Sequence, residues 1–372
     1  MRYALIMAGG SGTRLWPMST KETPKQLIPF IQGRSLLQIA MERLEGLVPP
    51  ERIYVIAGES TRRAMLDKLP GLTPDRFIGE PMGRDTLNAV GLGCSVIAAK
   101  DPDAVVAIFT ADHLIEPEDT FRGVVDSGYA VAESVENALV TFGVEPTFPA
   151  TGYGYLELGE TIAGAAGAAS GGGVRVVDRF QEKPDADTAG RYHAAGPGKY
   201  LWNSGMFVWK ASVVMDCIRR YCPENYEPLK QLGDGWGTPA VMDSLAETFG
   251  GLKKISVDFA VMEPAGADET VTVAAVPMPV KWLDVGSWPS FKETLEPDTE
   301  GNAASGCQAI FHEAKGALVA GTDAKRLVAV LGLEDVVVIE TPNSTLVCSA
   351  EAAQQIKAVH ARVAQEFGDD YL

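Results

Sequence analysis

Three glycines, an arginine and a lysine crowd one short stretch, "MAGGSGTRLWPMSTKETPKQLIPF", directly after the first apolar run of the chain. Gly9, Gly10 and Gly12 lack a Cβ, so backbone N–H groups there can approach a phosphate or a base closely. Arg14 offers a planar fork of donors for phosphate oxygens, and Lys25 a mobile point charge. Trp16 and Pro17 fix the exit of the turn. This is the composition of a phosphate cradle, yet neither common cradle fits. A Walker loop needs GxxxxGK followed by Ser or Thr, which is missing. The dinucleotide fingerprint needs a third glycine where Leu15 stands. An ordinary Gly-rich turn with a solvated arginine is the plainer reading. The strand behind the turn and Lys25 beyond it favour the cradle.

The elements that must carry this turn are legible as a pattern. Tyr3 to Ala8 is strand-like, "SLLQIAMERLEGL" is an amphipathic helix, and "RIYVIAG" is a second strand. A helix around Ser60 to Leu69 follows, then "RFIGEP", a helix from Thr86 to Ala99, and the strand "AVVAIFT". Continuous apolar strands separated by helices predict βαβ units and a mostly parallel sheet covered on both faces. Ligands in such sheets sit at the carboxyl ends of the strands. The glycine-rich turn, "GEP" and "TADH" all fall at such ends, so three chemically loaded turns are expected on one rim.

The middle is less regular. "AGAAGAASGGG" is small-residue, low-complexity sequence and is expected to be a flexible spacer without chemistry. A boundary is expected from about Glu296, in "EPDTEGNAASG". Short β-rich runs follow at fairly even intervals and predict a small coiled or sandwiched β domain that packs and does not catalyse. The last stretch, "AEAAQQIKAVHARVAQEF", is expected to be a helix with Ile356, Val359, Val363 and Phe367 on one face.

The totals bound the rest. At 372 residues the chain is expected to form more than one domain. A formal charge of -17, from 49 acidic and 32 basic residues, argues against nucleic acid or an anionic membrane as partner. A small anionic ligand is still allowed, since a few local cations outweigh a distant field. Five scattered cysteines with no CxxC spacing predict free thiols and no zinc site. No apolar run reaches the roughly 20 residues of a membrane helix, and "YALIMAGG" is too short for a signal peptide, so a cytoplasmic location is expected. A homodimer stays open.

The loop "GGSGTRLWPMSTKETPKQL" resembles the signature loop of nucleotide-sugar pyrophosphorylases. The Trp after "TRL" and the following "PKQ" resemble their mannose-1-phosphate guanylyltransferase branch. The likeness continues in order through "EPMGRDT", "TADHLI", "TGYGYLELG", "FQEKP", "WNSGMFVWK", "VDFAVME" and "WLDVGSW", and the stretch "LVAVLGLEDVVVIETPNSTLVC" resembles the family's β-rich tail. It covers nearly the whole chain. It implies an α/β fold with a Rossmann-like, mostly parallel mixed sheet flanked by helices (a nucleotidyltransferase, GT-A-like) over residues 1–295. A small C-terminal β-rich domain, short and left-handed β-helix-like, would occupy 296–372.

The implied reaction joins GTP to mannose 1-phosphate, releasing pyrophosphate and forming GDP-mannose. The attacking phosphate monoester has a second pKa of roughly 6, so it is a dianion at neutral pH and needs no side-chain base. The missing Ser-His-Asp or Cys-His arrangement therefore agrees with the reaction, which asks instead for cations and a metal. By resemblance, Arg14 grips the triphosphate and Lys25 the phosphates near the reaction centre. Asp112 and Asp284 match the aspartates that hold Mg²⁺, for which carboxylates are suitable hard ligands. Taken alone, Asp112 would more often cap a helix and Asp284 sit in a turn. Ala8, Gly9, Gly10, Gly12, Thr13, Glu80, Arg84, Asp85 and Thr86 match the nucleotide-binding positions. Gly152, Glu182, Lys183 and Asn203 match those that hold the sugar phosphate; alone, "QEKP" would be a solvated turn.

Several residues depart or stay neutral. The family pattern typically has Asn where Asp85 stands, and small residues plus Pro at Leu87, Asn88 and Ala89. An ionised Asp only accepts whereas Asn also donates, so guanine preference is less secure than nucleotide binding. His113 is expected to be a hydrogen-bonded spacer, "DPD" at Asp101 to Asp103 a turn, and Trp202 and Trp209 packing. The rivals are a transferase for another hexose 1-phosphate or base, and a catalytically weak homologue that binds an NDP-sugar. Arg14, Lys25, Asp112, Lys183 and Asp284 together argue against the latter. Longer relatives add a metal-dependent isomerase; with 4 His and an end soon after the β-rich tail, no isomerase activity is expected.

Overall fold

The computed structural model describes residues 1–10, 12–31, 33–162 and 173–372. Most of the low-complexity "AGAAGAASGGG" stretch lies outside the described residues. The first strands, β1 (Arg2–Met7), β2 (Ile53–Gly58), β3 (Phe77–Glu80) and β4 (Val105–Thr110), are the apolar runs of the sequence. They pair in parallel in the order β3-β2-β1-β4. Strand β1 shows why the runs are continuously apolar. Tyr3 and Leu5 enter the core on one face of the sheet, while Ala4 and Ile6 enter the core on the other.

A short strand, β5 (His113–Glu116), follows β4, and the main sheet resumes with β6 (Ala138–Val144), β7 (Tyr155–Thr161), β8 (Arg175–Gln181), β9 (Tyr200–Lys210) and β10 (Thr272–Pro277). The nine main strands order as β3-β2-β1-β4-β9-β6-β10-β8-β7. β9 is antiparallel to β4, β6 and β7, and β8 is antiparallel to β10 and β7, so these two run against the rest. A mostly parallel mixed sheet is thus the observed frame.

Helices α1 (Leu36–Glu42), α2 (Arg62–Lys68) and α4 (Glu118–Ser134) supply Leu37, Met65 and Phe121 to one face. On the other face, α3 (Asp85–Lys100), α6 (Ala211–Tyr221) and α7 (Pro223–Asp234) supply Leu92, Ile218 and Leu229. Smaller helices α5 (Ala186–Ala195), α8 (Pro239–Gly251) and α9 (Glu263–Ala265) flank the sugar-side motifs. Strand β11 (Lys281–Asp284) pairs with β5 outside the main sheet, and α10 (Trp288–Lys292) follows it.

The C-terminal part is a coil of short strands. β12 (Ala303–Ser305), β14 (Leu318–Gly321) and β16 (Val336–Glu340) stack in parallel, with β17 (Thr345–Ser349) antiparallel beside β16. β13 (Gln308–His312) and β15 (Leu327–Leu331) form a second parallel pair. Helix α11 (Ile356–Phe367) closes the chain, but its expected apolar face is only partly used. Ile356 is buried and Val363 is half-buried against the same core, whereas Val359 is 43% and Phe367 63% exposed. All five cysteines are free. Asp101 to Asp103 is a turn, with the Asp103 N–H donating to the Asp101 carboxylate. Among the described residues no helix is long and apolar enough to cross a membrane.

Candidate active site

Two antiparallel strands bring the separated aspartates together. Asp284, the last residue of β11, pairs in register with His113, the first residue of β5, and the Val285 N–H donates to the Asp112 carbonyl at 3.0 Å. One ligand atom each from Asp112, His113 and Asp284 lie within 4.8 Å of one another. Lys25 arrives from the glycine loop and donates to Asp112 Oδ2 at 2.5 Å. Burial opposes the Asp112 charge, but Lys25 and His113 beside it hold the carboxyl below the usual range. Arg14 closes the group: a Cβ on Gly286 would lie 3.0 Å from Arg14 Nη2 and 3.1 Å from Asp284 Oδ1. Gly286 therefore leaves room between the Arg14 guanidinium and the Asp284 carboxylate.

The His113 ring is oriented by its neighbours. Trp282 Nε1, which can only donate, donates to His113 Nδ1 at 3.1 Å, and the Thr110 hydroxyl is 2.5 Å from the same atom. The neutral ring therefore carries its proton on Nε2, which faces Asp112 Oδ1 at 3.9 Å. A protonated Nε2 offers no lone pair to a cation. That leaves the two aspartate carboxylates as the groups that could take a cation, a hard donor set of the kind that suits Mg²⁺. Burial also pushes the imidazole below its ordinary pKa, which keeps it neutral. Beneath it, the buried Arg43 guanidinium donates to the His113 carbonyl at 3.0 Å and fixes the turn.

The glycine loop lines a cleft of about 700 Å³ that also takes in the end of β3. Gly12 has φ +63°, and a Cβ there would lie 2.2 Å from Ser19 Oγ, so only glycine fits. Gln26, buried, donates to the Gly9 carbonyl at 2.5 Å and holds the loop from behind. Ala8, Gly9, Gly10, Thr13 and Glu80 line the cleft. Burial raises Glu80 to about 7. Arg84 points elsewhere: its guanidinium donates to the Gly250 carbonyl at the end of α8, and it does not line this cleft. Thr86 accepts the Val257 N–H at 3.0 Å and so ties α3 to the segment before Asp258. Asp85 starts α3 with φ +68° and accepts from the Thr86 N–H at 2.8 Å. Asp and Asn both tolerate this left-handed conformation, which accounts for either residue at the position. The far wall comes from the C-terminal region, through His360 and Leu372.

A second cleft, about 160 Å³, is lined by His113, Gly152, Glu182, Asn203, Asp258 and Asp284 among others. Glu182 is 7% exposed and pairs with Lys183 Nζ at 2.8 Å. Burial opposes the Lys183 charge, but Glu182 wins and the ammonium sits above its ordinary pKa. A Cβ on Gly154 would lie 2.6 Å from Glu182 Oε2, so this glycine sets the depth of the wall.

The family description "Nucleotidyl transferase" matches residues 3–301. The chain belongs to the nucleotidyl transferase family. "MannoseP isomerase/GMP-like beta-helix domain" matches residues 308–363, where the parallel coil lies. The mannose-1-phosphate guanylyltransferase of Escherichia coli K12 is 35% identical over 96% of this chain and 72% of its own length. The xanthan biosynthesis protein XanB of Xanthomonas campestris pv. campestris B100 is likewise 35% identical, with the same coverage. A solved structure from Thermus thermophilus, described as a mannose-1-phosphate geranyltransferase, superposes with a TM-score of 0.82 at 30% identity, covering 97% of this chain and 99% of that one.

In this nucleotidyl transferase the structure thus gathers Lys25, Asp112 and Asp284, with Arg14 close by at Gly286; the glycine turn and Glu80 line one cleft, and Gly152, Glu182, Asn203 and Asp284 line the other. Four contributors escaped the sequence. Gln26 and Asp258 stood inside quoted motifs, in "PKQ" and "VDFAVME", but nothing in their spacing showed which atoms they face. His360 and Leu372 are more than 300 positions from the loop they adjoin, and only the packing of the chain reveals them.

Proposed function

We propose that this nucleotidyl transferase moves GMP from GTP to mannose 1-phosphate, forming GDP-mannose and pyrophosphate. The observation that carries the reading is the Lys25–Asp112 contact, with Lys25 against Gly10 of the larger cleft and Asp112 beside His113 and Asp284 of the smaller one. A nucleoside triphosphate in the larger cleft and a sugar phosphate in the smaller one would meet there. Arg14 neutralises phosphate oxygens on the nucleotide side, and Lys25 balances charge growing on the α-phosphoryl group. Alignment of the two anions replaces base catalysis, because the attacking monoester is already ionised. Asp112 and Asp284 would hold Mg²⁺, which when bound supplies a hard cation to the phosphate oxygens. His113 keeps its Nε2 proton toward Asp112 and steadies that carboxylate.

Glu80 supports guanine as the base. An ionised carboxylate only accepts, and the guanine edge offers two adjacent N–H donors, N1–H and N2–H. Uracil and thymine offer one donor flanked by acceptors, and adenine an acceptor at N1. The relatives' names point the same way.

Phosphorus NMR of the reaction mixture tests the proposal. GTP and mannose 1-phosphate with Mg²⁺ should give GDP-mannose and pyrophosphate, and EDTA should stop both. Asp112→Ala and Asp284→Ala should each lower turnover by about 10²–10³-fold while the protein stays folded. Near-normal turnover in either variant would remove that aspartate from the site.

A further inference from the structure

Behind the turn that carries Asp112 lies a cation without an anion. Arg43 stands at the C-terminal cap of α1 and is 1% exposed. Its Nη1 donates to the His113 carbonyl at 3.0 Å, and its guanidinium lies over the Phe121 ring, 4.7 Å from the centroid. Nε and Nη2 are buried and find no acceptor among the described residues. Glu118, whose charge favours the guanidinium, is itself paired with Arg122 at 2.7 Å. Burial prevails and pushes Arg43 down to about 10. A buried cation of this kind costs stability, and each buried donor without a partner adds to the cost. A methionine would fill the same space without either penalty.

The one hydrogen bond that the side chain makes falls at a particular place. The turn from β4 into β5 is tethered three times. The Ala111 N–H donates to the Met7 carbonyl at the end of β1, and the Asp112 carbonyl accepts from the Val285 N–H after β11, each at 3.0 Å. Arg43 takes the His113 carbonyl and is the tether that comes from a helix. It is held in turn, because Arg122 Nε of α4 donates to the Arg43 carbonyl at 3.1 Å. Asp112 stands between these tethers. Only two torsions separate an aspartate backbone from its carboxylate, so a tilt of the flanking peptides is carried almost directly to the oxygens. Those oxygens are the ones that meet Lys25 and approach Asp284.

We propose that Arg43 is a positioning residue of the reaction: acting through the His113 carbonyl, it holds Asp112 at the angle from which the carboxylate meets both Lys25 and a cation shared with Asp284. This role rests on the transferase reading above and adds to it a side chain that touches no substrate. It also accounts for the two unpaired donors, which the fold keeps at a cost in stability because the third donor is needed at the turn. Groups behind metal ligands are commonly worth about 10–100-fold in metal affinity or activity.

Stability and metal binding separate this role from a structural one. Wild type, Arg43→Met and Arg43→Lys are compared by melting temperature, by steady-state kinetics and by binding of Mn²⁺ alone, followed through water-proton relaxation. Asp284→Ala should remove the Mn²⁺ binding, which assigns it to the aspartates; binding that survives there would put the ion elsewhere and overturn the proposal. Arg43→Met should weaken Mn²⁺ binding by about 10–100-fold and lower kcat by a similar factor, with KM for GTP unchanged. Its melting temperature should equal or exceed that of the wild type. Arg43→Lys keeps a charged donor on a long stem and should recover most of the lost Mn²⁺ affinity. Wild-type Mn²⁺ binding in Arg43→Met with a lower melting temperature would make Arg43 structural only. Tighter binding there would mean that the buried charge repels the ion, and this too would overturn the proposal. Should Arg43→Met fail to fold, Arg43→Gln decides: its shorter side chain cannot reach as the guanidinium does, and wild-type Mn²⁺ binding in it would contradict the role. Mn²⁺ binding needs no substrate, so a wild type that rejects mannose 1-phosphate defeats the functional reading and leaves this measurement to decide the role of Arg43.

Discussion

Lys25 sits on the carboxylate of Asp112, one of the two aspartates proposed to hold a metal. Its ammonium, 2.5 Å from Asp112, neutralises the site while no substrate is bound and is the natural cation to pass to a phosphate when Asp112 turns to a metal. Lys25→Ala should lower kcat by about 10²–10³-fold, and Lys25→Arg should not restore it, because the planar fork does not fit where a point charge stood. Glu80 gives a pH signature. Its folded pKa of about 7 lies above the ordinary value of 4.5, so the folded protein holds the proton more tightly. The resulting stability is fully present below pH 4.5 and is lost as pH rises through 7. Guanine donors favour the ionised form, so binding of GDP-mannose should strengthen as pH rises from about 5.5 to about 7.5. Calorimetry should show that Glu80→Gln removes this part of the pH dependence; an unchanged profile would take Glu80 away from the base. Residue types were the readable part at this scale. Arg14 and Lys25 stood out by type in the glycine-rich stretch, whereas Asp112 and Asp284 were singled out only by the family resemblance. Asp258 did not show, because only the folded chain brings it beside Asn203 of β9, whose amide donates to it.

At the scale of elements, the loop and two strand ends do the positioning. Gly12→Ala would need a left-handed backbone from a residue with a Cβ and would drive it into Ser19 Oγ. A stability loss of about 1–2 kcal/mol is expected for the backbone alone, with weaker GTP binding, measured by denaturant titration and calorimetry. Strands β1 to β4 and their helices were legible because both faces of the sheet are covered, and continuous apolar runs report that directly. The β5–β11 pair was not, since each strand has only four residues and they lie far apart in the chain. Asp85 shows the same limit from another side: its departure from the family's Asn concerned base contacts in the sequence, whereas the structure gives it a backbone role at the start of α3.

For the whole molecule, the β coil does more than pack at a distance. A third apolar core joins Leu15 and Trp16 of the loop, Val285 and Trp288 after Asp284, and Leu318, Ile339, Ile356 and Leu372 of the C-terminal part. Trp288 Nε1 donates to the Trp16 carbonyl at 3.1 Å, and Trp16 Nε1 donates to the Tyr371 carbonyl at 2.7 Å. The loop, the segment that follows Asp284 and the C-terminal segment are therefore one packed unit. Trp16→Phe keeps the ring but removes the donor, so a loss of about 1 kcal/mol is expected, with faster hydrogen exchange in residues 356–372. Exchange unchanged there would mean that the indole bond does not hold the segment.

The central claim, GMP transfer to mannose 1-phosphate, is tested most directly by pyrophosphate release across a matrix of triphosphates and hexose 1-phosphates. The expected result is rapid release with GTP and mannose 1-phosphate, and at least about tenfold lower kcat/KM for every other pairing, the scale of one lost hydrogen bond. Faster turnover with glucose 1-phosphate, or with ATP or UTP in place of GTP, would contradict it.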